Sequence, residues 1–90
     1  MPTLEMTVNN SSGLHARPAA KFVQTATSFP CEIFVRNLTA NGKAVNAKSI
    51  LSVLTLGVNQ GCRVEIEARG EKAEEALKAL KELSDSNFGE

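Results

Sequence analysis

The chain has 90 residues, which is enough for one small domain. Ten basic and ten acidic side chains give a formal net charge of zero, which argues against the basic footprint of nucleic-acid-binding proteins. No apolar run approaches the roughly 18 residues of a membrane span, and the N-terminus lacks the basic-then-apolar pattern of a signal peptide. A chain of this length can bury a modest core but cannot enclose a deep active site.

Hydrophobic periodicity predicts seven elements in the order β-α-β-β-α-β-α. Alternating apolar residues predict strands at residues 3–8, 31–37, 38–45 and 62–68. The third of these is the weakest, because Asn41-Gly42 interrupts it. Apolar stripes predict helices at residues 18–28, 49–56 and 71–83, followed by a polar tail at 85–90. An α+β chain of this kind is most simply one sheet with helices packed on one face.

The two cysteines, Cys31 and Cys62, are far apart and form no CxxC pair. Their spacing is not that of metal ligands. It is typical of reduced, partly buried thiols in a cytosolic protein.

The single histidine, His15, lies in a loop just before the first predicted helix. Imidazole is a good nucleophile near neutral pH. The helix start at residues 16–18 (Ala16, Arg17 and Pro18) presents backbone amides that can bind phosphate, and Arg17 adds a planar cationic fork. These parts suit a histidine that accepts a phosphoryl group and passes it on. A capping or surface histidine is the simpler alternative, and these residues alone leave it open.

No other constellation in the chain completes an enzyme. The sequence lacks a Ser/His/Asp set, a Gly-rich nucleotide loop with a Lys, and a metal cluster. We therefore expect a carrier rather than a stand-alone enzyme, with no cofactor and no metal.

Two motifs resemble one known family. Residues 13–19 (GLHARPA) closely resemble the active-site signature of the HPr family, the histidine-containing phosphocarrier proteins of the bacterial phosphotransferase system. Residues 48–57 (KSILSVLTLG) resemble the regulatory-serine region of the same family, in the same order and spacing. The resemblance covers nearly the whole chain and implies a single HPr domain over residues 1–90. The implied fold is an open-faced β-sandwich, with an antiparallel sheet of order 1-4-2-3 and three helices on one face.

The resemblance also implies residue roles. His15 would be phosphorylated on Nδ1 by enzyme I, which phosphoenolpyruvate charges, and an enzyme IIA would accept the group. Arg17 would contact the phosphate. The family has its histidine at the helix N-cap, whereas the bias of a residue before proline favours a helix start at Pro18.

Ser49 matches the serine that a bifunctional kinase/phosphorylase modifies where one is present. A phosphate there would lie at the positive end of a helix dipole. Helix capping alone explains the serine equally well, so both interpretations stay open.

The second predicted helix is apolar almost all round. Either it is simply buried, or part of it is an exposed docking patch beside the histidine, as in the family. We expect a cationic rim that would match acidic partner surfaces. The predicted patch and rim comprise Ile50, Leu51, Leu54, Arg17, Lys21 and Lys48.

The implied sheet order also bears on the cysteines. Strands 2 and 4 would pair antiparallel, which places Cys31 and Cys62 at opposite ends of the sheet. At about 3.3 Å per residue they would be roughly 15–20 Å apart. No disulfide between them is expected.

The leading interpretation is a cytoplasmic, monomeric phosphocarrier for sugar uptake that neither binds nucleic acid nor inserts into a membrane. The alternative is a nitrogen-type regulatory phosphocarrier, in which the phosphate reports metabolic state; the Phe88-bearing tail resembles that branch weakly. A domain of a larger multiphosphoryl transfer protein is a third possibility, against which the Met1-Pro2 start and the short tail argue. A nucleic-acid module lacks both basic excess and exposed aromatic pairs.

Overall fold

The structure, a computed structural model, describes residues 2–89. Its strands are β1 (Thr3–Thr7), β2 (Glu32–Asn37), β3 (Val45–Asn46) and β4 (Arg63–Arg69). Its helices are α1 (Ala16–Thr27), α2 (Ile50–Leu54) and α3 (Ala73–Asp85), and a 3-10 turn follows at Asn87–Gly89. The order of strands and helices is the predicted one. None of the helices within residues 2–89 is long and apolar enough to cross a membrane.

The strands form one antiparallel sheet in the order β1-β4-β2-β3, which confirms the predicted open-faced sandwich. Successive side chains of a strand point to opposite faces of a sheet. On β2, Ile33 and Val35 are therefore buried together, and on β4 the buried side chains alternate in the same way. This apolar face lies under the helices.

The helices cover the sheet with apolar stripes. Phe22 of α1 and Leu80 of α3 are fully buried, as is Leu14 in the loop before α1. Burial of a large apolar side chain stabilises the fold by about 1.5–3 kcal/mol. The loop that carries His15 is therefore attached to the core by its own leucine.

The open face of the sheet is polar, and its charges are paired across strands. Arg36 donates to Glu65 directly opposite it over 3.0 Å. Arg63 pairs with Glu5. The Arg69 guanidinium lies 5.1 Å from the centre of the Phe34 ring, in the range of a cation–π contact. Opposite charges are thus paired between neighbouring strands on this face.

The prediction of a third strand over residues 38–45 is wrong in extent, because β3 has only two residues. The chain leaves β2 in a tight turn, in which the Asn41 amide donates to the Leu38 carbonyl over 3.1 Å. Asn41 adopts a φ of 53°, the left-handed conformation that asparagine tolerates in turns. A turn therefore forms where the weak alternation of apolar residues predicted a strand.

The prediction of a polar tail at residues 85–90 is also wrong for its described part. Asp85 ends α3, and Phe88 in the final 3-10 turn is completely buried. Glu90 and Met1 lie outside the described residues. The segment is therefore attached to the core by its single aromatic side chain and is not a free polar tail.

The cysteines lie where the implied sheet order places them. Glu32 pairs with Arg69 at one end of the β2–β4 ladder, and Asn37 pairs with Val64 at the other. Cys31 and Cys62, each just before its strand, are consequently at opposite ends, and both are free thiols.

Candidate functional site

Two loops, residues 9–14 and 57–61, form the base of the site. The Leu14 amide donates to the Val58 carbonyl over 2.9 Å, and the Gly61 amide donates to the Val8 carbonyl over 2.7 Å. Leu14 and Val58 are both fully buried. The segment leading to His15 is therefore held on the body of the protein rather than projecting as a mobile loop.

Gly13 is required by the close approach of these two loops. Its φ is +64°, a conformation that glycine adopts at little cost. A Cβ at this position would overlap the Val58 carbonyl oxygen and lie 2.8 Å from the Asn59 Cα. The Asn10 side chain donates to the Gly13 carbonyl over 2.8 Å and closes the turn.

His15 is the N-cap residue of α1, with φ −129° and ψ 158°, and its side chain is partly exposed. Its ring Nε2 lies 3.0 Å from the Asn59 Oδ1. The sequence analysis did not find Asn59, because 44 residues separate it from His15 and no local pattern connects them. The side chain is thus partly exposed and hydrogen-bonded at Nε2.

The helix begins at Ala16, two residues before the start predicted from the residues at Pro18. The boundary implied by the family resemblance, with His15 as the N-cap, is the observed one. The pre-proline bias is a preference, and Pro18 occupies the third helical position, where no intrahelical N–H is needed. Ala16 has a φ of +50°, a sparsely populated conformation for a residue other than glycine.

The predicted phosphate-binding residues contribute differently. Ala16 and Arg17 carry backbone amides in the first helical turn, which lack intrahelical acceptors. Pro18 has no N–H and is buried, so it contributes packing rather than a hydrogen bond. The Arg17 side chain is exposed and forms no ion pair with any residue from 2 to 89.

Three of the apolar side chains of α2 are exposed, so the interpretation that this helix is simply buried is wrong. Leu51 is 74% exposed, and Ile50 and Leu54 are each 38% exposed. Val53 alone of the helix is buried. A shallow groove lined by Ala20, Val23, Gln24 and Ile50 joins this surface to α1. We call Ile50, Leu51 and Leu54 the apolar patch.

The predicted cationic rim is only partly open. The Lys48 ammonium donates to the Phe29 carbonyl over 2.7 Å, so it braces the loop after α1. The Lys21 ammonium lies against Gly89 in the final turn. Arg17 is the predicted rim residue whose charged group has neither kind of contact within the described chain.

Ser49 caps α2. Its side-chain oxygen accepts a hydrogen bond from the Ser52 amide over 3.3 Å. The capping role is therefore present in the unmodified chain.

Across residues 2–89, no group of three or more His, Cys, Asp or Glu side chains is arranged to hold a metal ion.

Comparisons with known proteins point to one family. Residues 3–86 match the family model described as the PTS HPr component phosphorylation site. The chain is 44% identical to Phosphocarrier protein HPr of Pseudomonas aeruginosa, over 100% of this chain and 98% of that protein. It is also 44% identical over 86 residues to the Multiphosphoryl transfer protein of Salmonella typhimurium, of whose length it spans only 23%.

Solved structures agree with these sequence matches. HPr-C-His from Thermoanaerobacter tengcongensis superposes with a TM-score of 0.94 at 49% identity, over 100% of this chain and 98% of that one. An HPr dimer from the same organism superposes with a TM-score of 0.78 at 49% identity, over 100% of both chains.

Proposed function

Because the chain belongs to the PTS HPr component family, we propose that it is a phosphocarrier whose phosphoryl group travels on His15. The observation that carries the proposal is the placement of this histidine. It is the N-cap of α1, partly exposed, and fixed to the core through the buried Leu14. A carrier needs a nucleophile that is accessible to two partners in turn and yet held in one orientation.

The start of α1 supports the binding of a phosphoryl group at this position. The first amides of a helix point out of its N-terminus, where the helix dipole favours an anion. Arg17 offers a planar guanidinium two residues from His15, and it is exposed. In the proposal, these amides and Arg17 hold the phosphate after transfer, and no other catalytic group is needed, because phosphoryl transfer is mostly positioning and charge neutralisation.

We propose that enzyme I is the donor and an enzyme IIA is the acceptor, in the cytoplasm. The apolar patch next to α1 is a suitable surface for both, because a small exposed apolar area with a polar margin is typical of protein interaction sites. Arg17 supplies the accessible positive charge of this surface and would match acidic groups on the partners. We propose that the carrier acts as a monomer, which light scattering at working concentration would check.

Regulation by phosphorylation of Ser49 belongs to the same proposal. The Ser49 hydroxyl caps the helix that carries the apolar patch. A phosphate there would place a dianion beside the docking surface and weaken binding to acidic partners. Mass spectrometry of the chain after incubation with an HPr kinase/phosphorylase and ATP tests this step.

The experiment for the main proposal is phosphorylation with enzyme I and phosphoenolpyruvate. We expect an acid-labile adduct of about 80 Da, as for a covalent phosphohistidine, and its loss when a sugar-specific enzyme IIA is added. His15→Ala should remove the adduct, whereas Arg17→Ala should slow its formation. An equal yield of adduct in His15→Ala would refute the proposal. Loss of the adduct to a regulatory protein, and to no enzyme IIA of a sugar permease, would favour the nitrogen-type alternative.

A further inference from the structure

Asn59 contacts the His15 ring at Nε2, the nitrogen that the proposed chemistry does not use. The ring Nε2 is 3.0 Å from the Asn59 Oδ1. A carboxamide oxygen accepts hydrogen bonds and cannot donate them, so this contact requires the ring proton on Nε2. The other nitrogen, Nδ1, then carries the lone pair. We propose that Asn59 is a positioning residue that keeps the Nε2 proton on the ring throughout the phosphoryl cycle, an inference that rests on the proposed role of His15.

The proton on Nε2 lets the cycle run without any proton transfer. In the first step the Nδ1 lone pair attacks phosphorus and forms the Nδ1–P bond, while the bond from phosphorus to the donor breaks and its electron pair leaves with the donor. The ring is then a phosphoimidazolium that still carries Nε2–H. In the second step a lone pair of the acceptor attacks phosphorus, and the electrons of the Nδ1–P bond return to Nδ1. The ring ends as it began.

The hydrogen bond to Asn59 is worth most in the phosphorylated state. There the ring is cationic, and a hydrogen bond from a charged donor is roughly twice as strong as one between neutral groups. By retaining the proton, Asn59 keeps the ring a good leaving group, because a cationic ring draws the bonding electron pair towards itself. Loss of the Nε2 proton would leave a neutral phosphoimidazole, from which the phosphoryl group departs more slowly.

A neutral acceptor suits this task better than a carboxylate. A carboxylate at the same place would also favour a second proton on the unphosphorylated ring, which would occupy Nδ1 and remove the nucleophile. The loops around the ring, residues 9–14 and 57–61, contain no ionisable side chain. The nearest charged residues of α1 along the chain are Arg17 and Lys21, and the latter lies against Gly89. The amide of Asn59 therefore bonds the ring without adding charge.

The backbone of Asn59 is fixed relative to His15. The Asn59 carbonyl accepts from the Cys62 amide over 3.0 Å, and the preceding Val58 carbonyl accepts from Leu14 over 2.9 Å. Gly13 packs directly on the Asn59 Cα. The two loops are therefore in direct contact, and the Asn59 acceptor is already in place in the unphosphorylated chain.

Two substitutions of Asn59 and one matched control test the proposal. Asn59→Leu removes the acceptor at similar volume, whereas Asn59→Asp restores an oxygen at the same distance along the side chain. Gln60→Leu is the control, because the Gln60 side chain donates to the Asn9 carbonyl over 3.1 Å and so supports the same loop without touching the ring. The readouts are ¹⁵N NMR of the phosphorylated ring across pH, and the single-turnover rate of transfer to an enzyme IIA.

In the native chain the phosphorylated ring should keep its Nε2 proton to a higher pH than in Asn59→Leu. The difference between the two chains should correspond to about a tenfold change in the affinity of the ring for that proton. Asn59→Leu should transfer about tenfold more slowly in the alkaline range and regain the native rate in acid, where any ring is protonated. Asn59→Asp should regain the alkaline rate, and Gln60→Leu should behave as the native chain.

Different outcomes separate this inference from the proposed function. A native chain that takes no phosphate on His15 overturns both. A native chain that is phosphorylated, together with an Asn59→Leu variant that titrates and transfers identically, overturns this inference alone. An equal loss of rate at every pH in Asn59→Leu and Gln60→Leu also overturns it, since that pattern would indicate a role in loop structure only.

Discussion

The backbone amide of Leu14 donates to the carbonyl of Val58 over 2.9 Å, and this bond joins the segment before His15 to the loop before β4. Both side chains are fully buried, so the joint lies in the core. The His15 side chain is partly exposed, whereas Leu14 and Val58 beneath it are fully buried. Its orientation should therefore depend on the integrity of this joint.

Gly13→Ala should lower stability more than the substitution of another glycine that has the same φ. Gly57 is the matched control, because its φ of +65° equals that of Gly13 within a degree, yet nothing lies within 4 Å of an added Cβ. We expect Gly57→Ala to cost about 1–3 kcal/mol of unfolding free energy, the cost of the left-handed conformation. Gly13→Ala should cost a further amount of about 1–3 kcal/mol from the overlap with Val58 and Asn59. Urea unfolding of the two variants measures the difference, and equal losses would contradict the close-approach argument.

Leu51 and Val53 should separate partner binding from stability, although both lie on α2. Leu51 is 74% exposed and Val53 is fully buried. Leu51→Ala should leave the melting temperature within about 1–2 °C, because exposed positions contribute little to the core, and should raise the KM for the chain in phosphoryl transfer several-fold. Val53→Ala should lower the unfolding free energy by about 1–3 kcal/mol. A Leu51→Ala variant with native transfer kinetics would remove the apolar patch from the docking surface.

Phe88→Ala should be strongly destabilising, although its neighbours in sequence are polar. The side chain is completely buried, and loss of a buried phenylalanine costs about 3–5 kcal/mol. Phe34 offers the comparison, because it is only partly buried and its ring lies beneath the Arg69 guanidinium on the open face. Phe34→Ala should therefore cost less than Phe88→Ala. Thermal or urea unfolding measures both losses of stability. A larger loss for Phe34→Ala than for Phe88→Ala would mean that the final turn does not contribute to the core.

Ser49→Ala should lower stability even in the absence of any kinase, because it removes the N-cap of α2. The expected loss is about 0.5–2 kcal/mol of unfolding free energy. Ser52→Ala is the control, since Ser52 takes part in the cap through its backbone amide rather than its side chain. A Ser52→Ala variant as unstable as Ser49→Ala would show that the capping bond contributes little. Experiments that use Ser49→Ala to test regulation must therefore allow for this loss of stability.

The pattern of residues by itself predicted most of the local structure. The apolar alternation predicted β2 and β4, and Ile33 and Ile66 of that alternation are buried, because the period of a strand is set by its backbone geometry. The position of His15 in a loop before a helix, with Arg17 close behind it, was equally visible. The sheet order 1-4-2-3 came from the resemblance of two motifs rather than from the periodicity, which says nothing about which strands pair.

Other features were decided only when the elements came together. The exposure of Leu51, the burial of Phe88 and the engagement of Lys48 by the Phe29 carbonyl depend on which surface each side chain meets after folding. The sequence alone does not distinguish an apolar side chain that becomes buried from one that stays exposed.

The zero net charge and the single histidine were fixed by composition from the outset, and the zero net charge argued against a nucleic-acid-binding protein. The partner of that histidine was not determined by composition or by local pattern. Asn59 reaches the His15 ring across 44 residues, because the two loops meet at the Leu14–Val58 bond and at the close approach of Gly13. Local periodicity reports the direction in which a side chain points, whereas a contact between distant residues exists only once the backbone has packed.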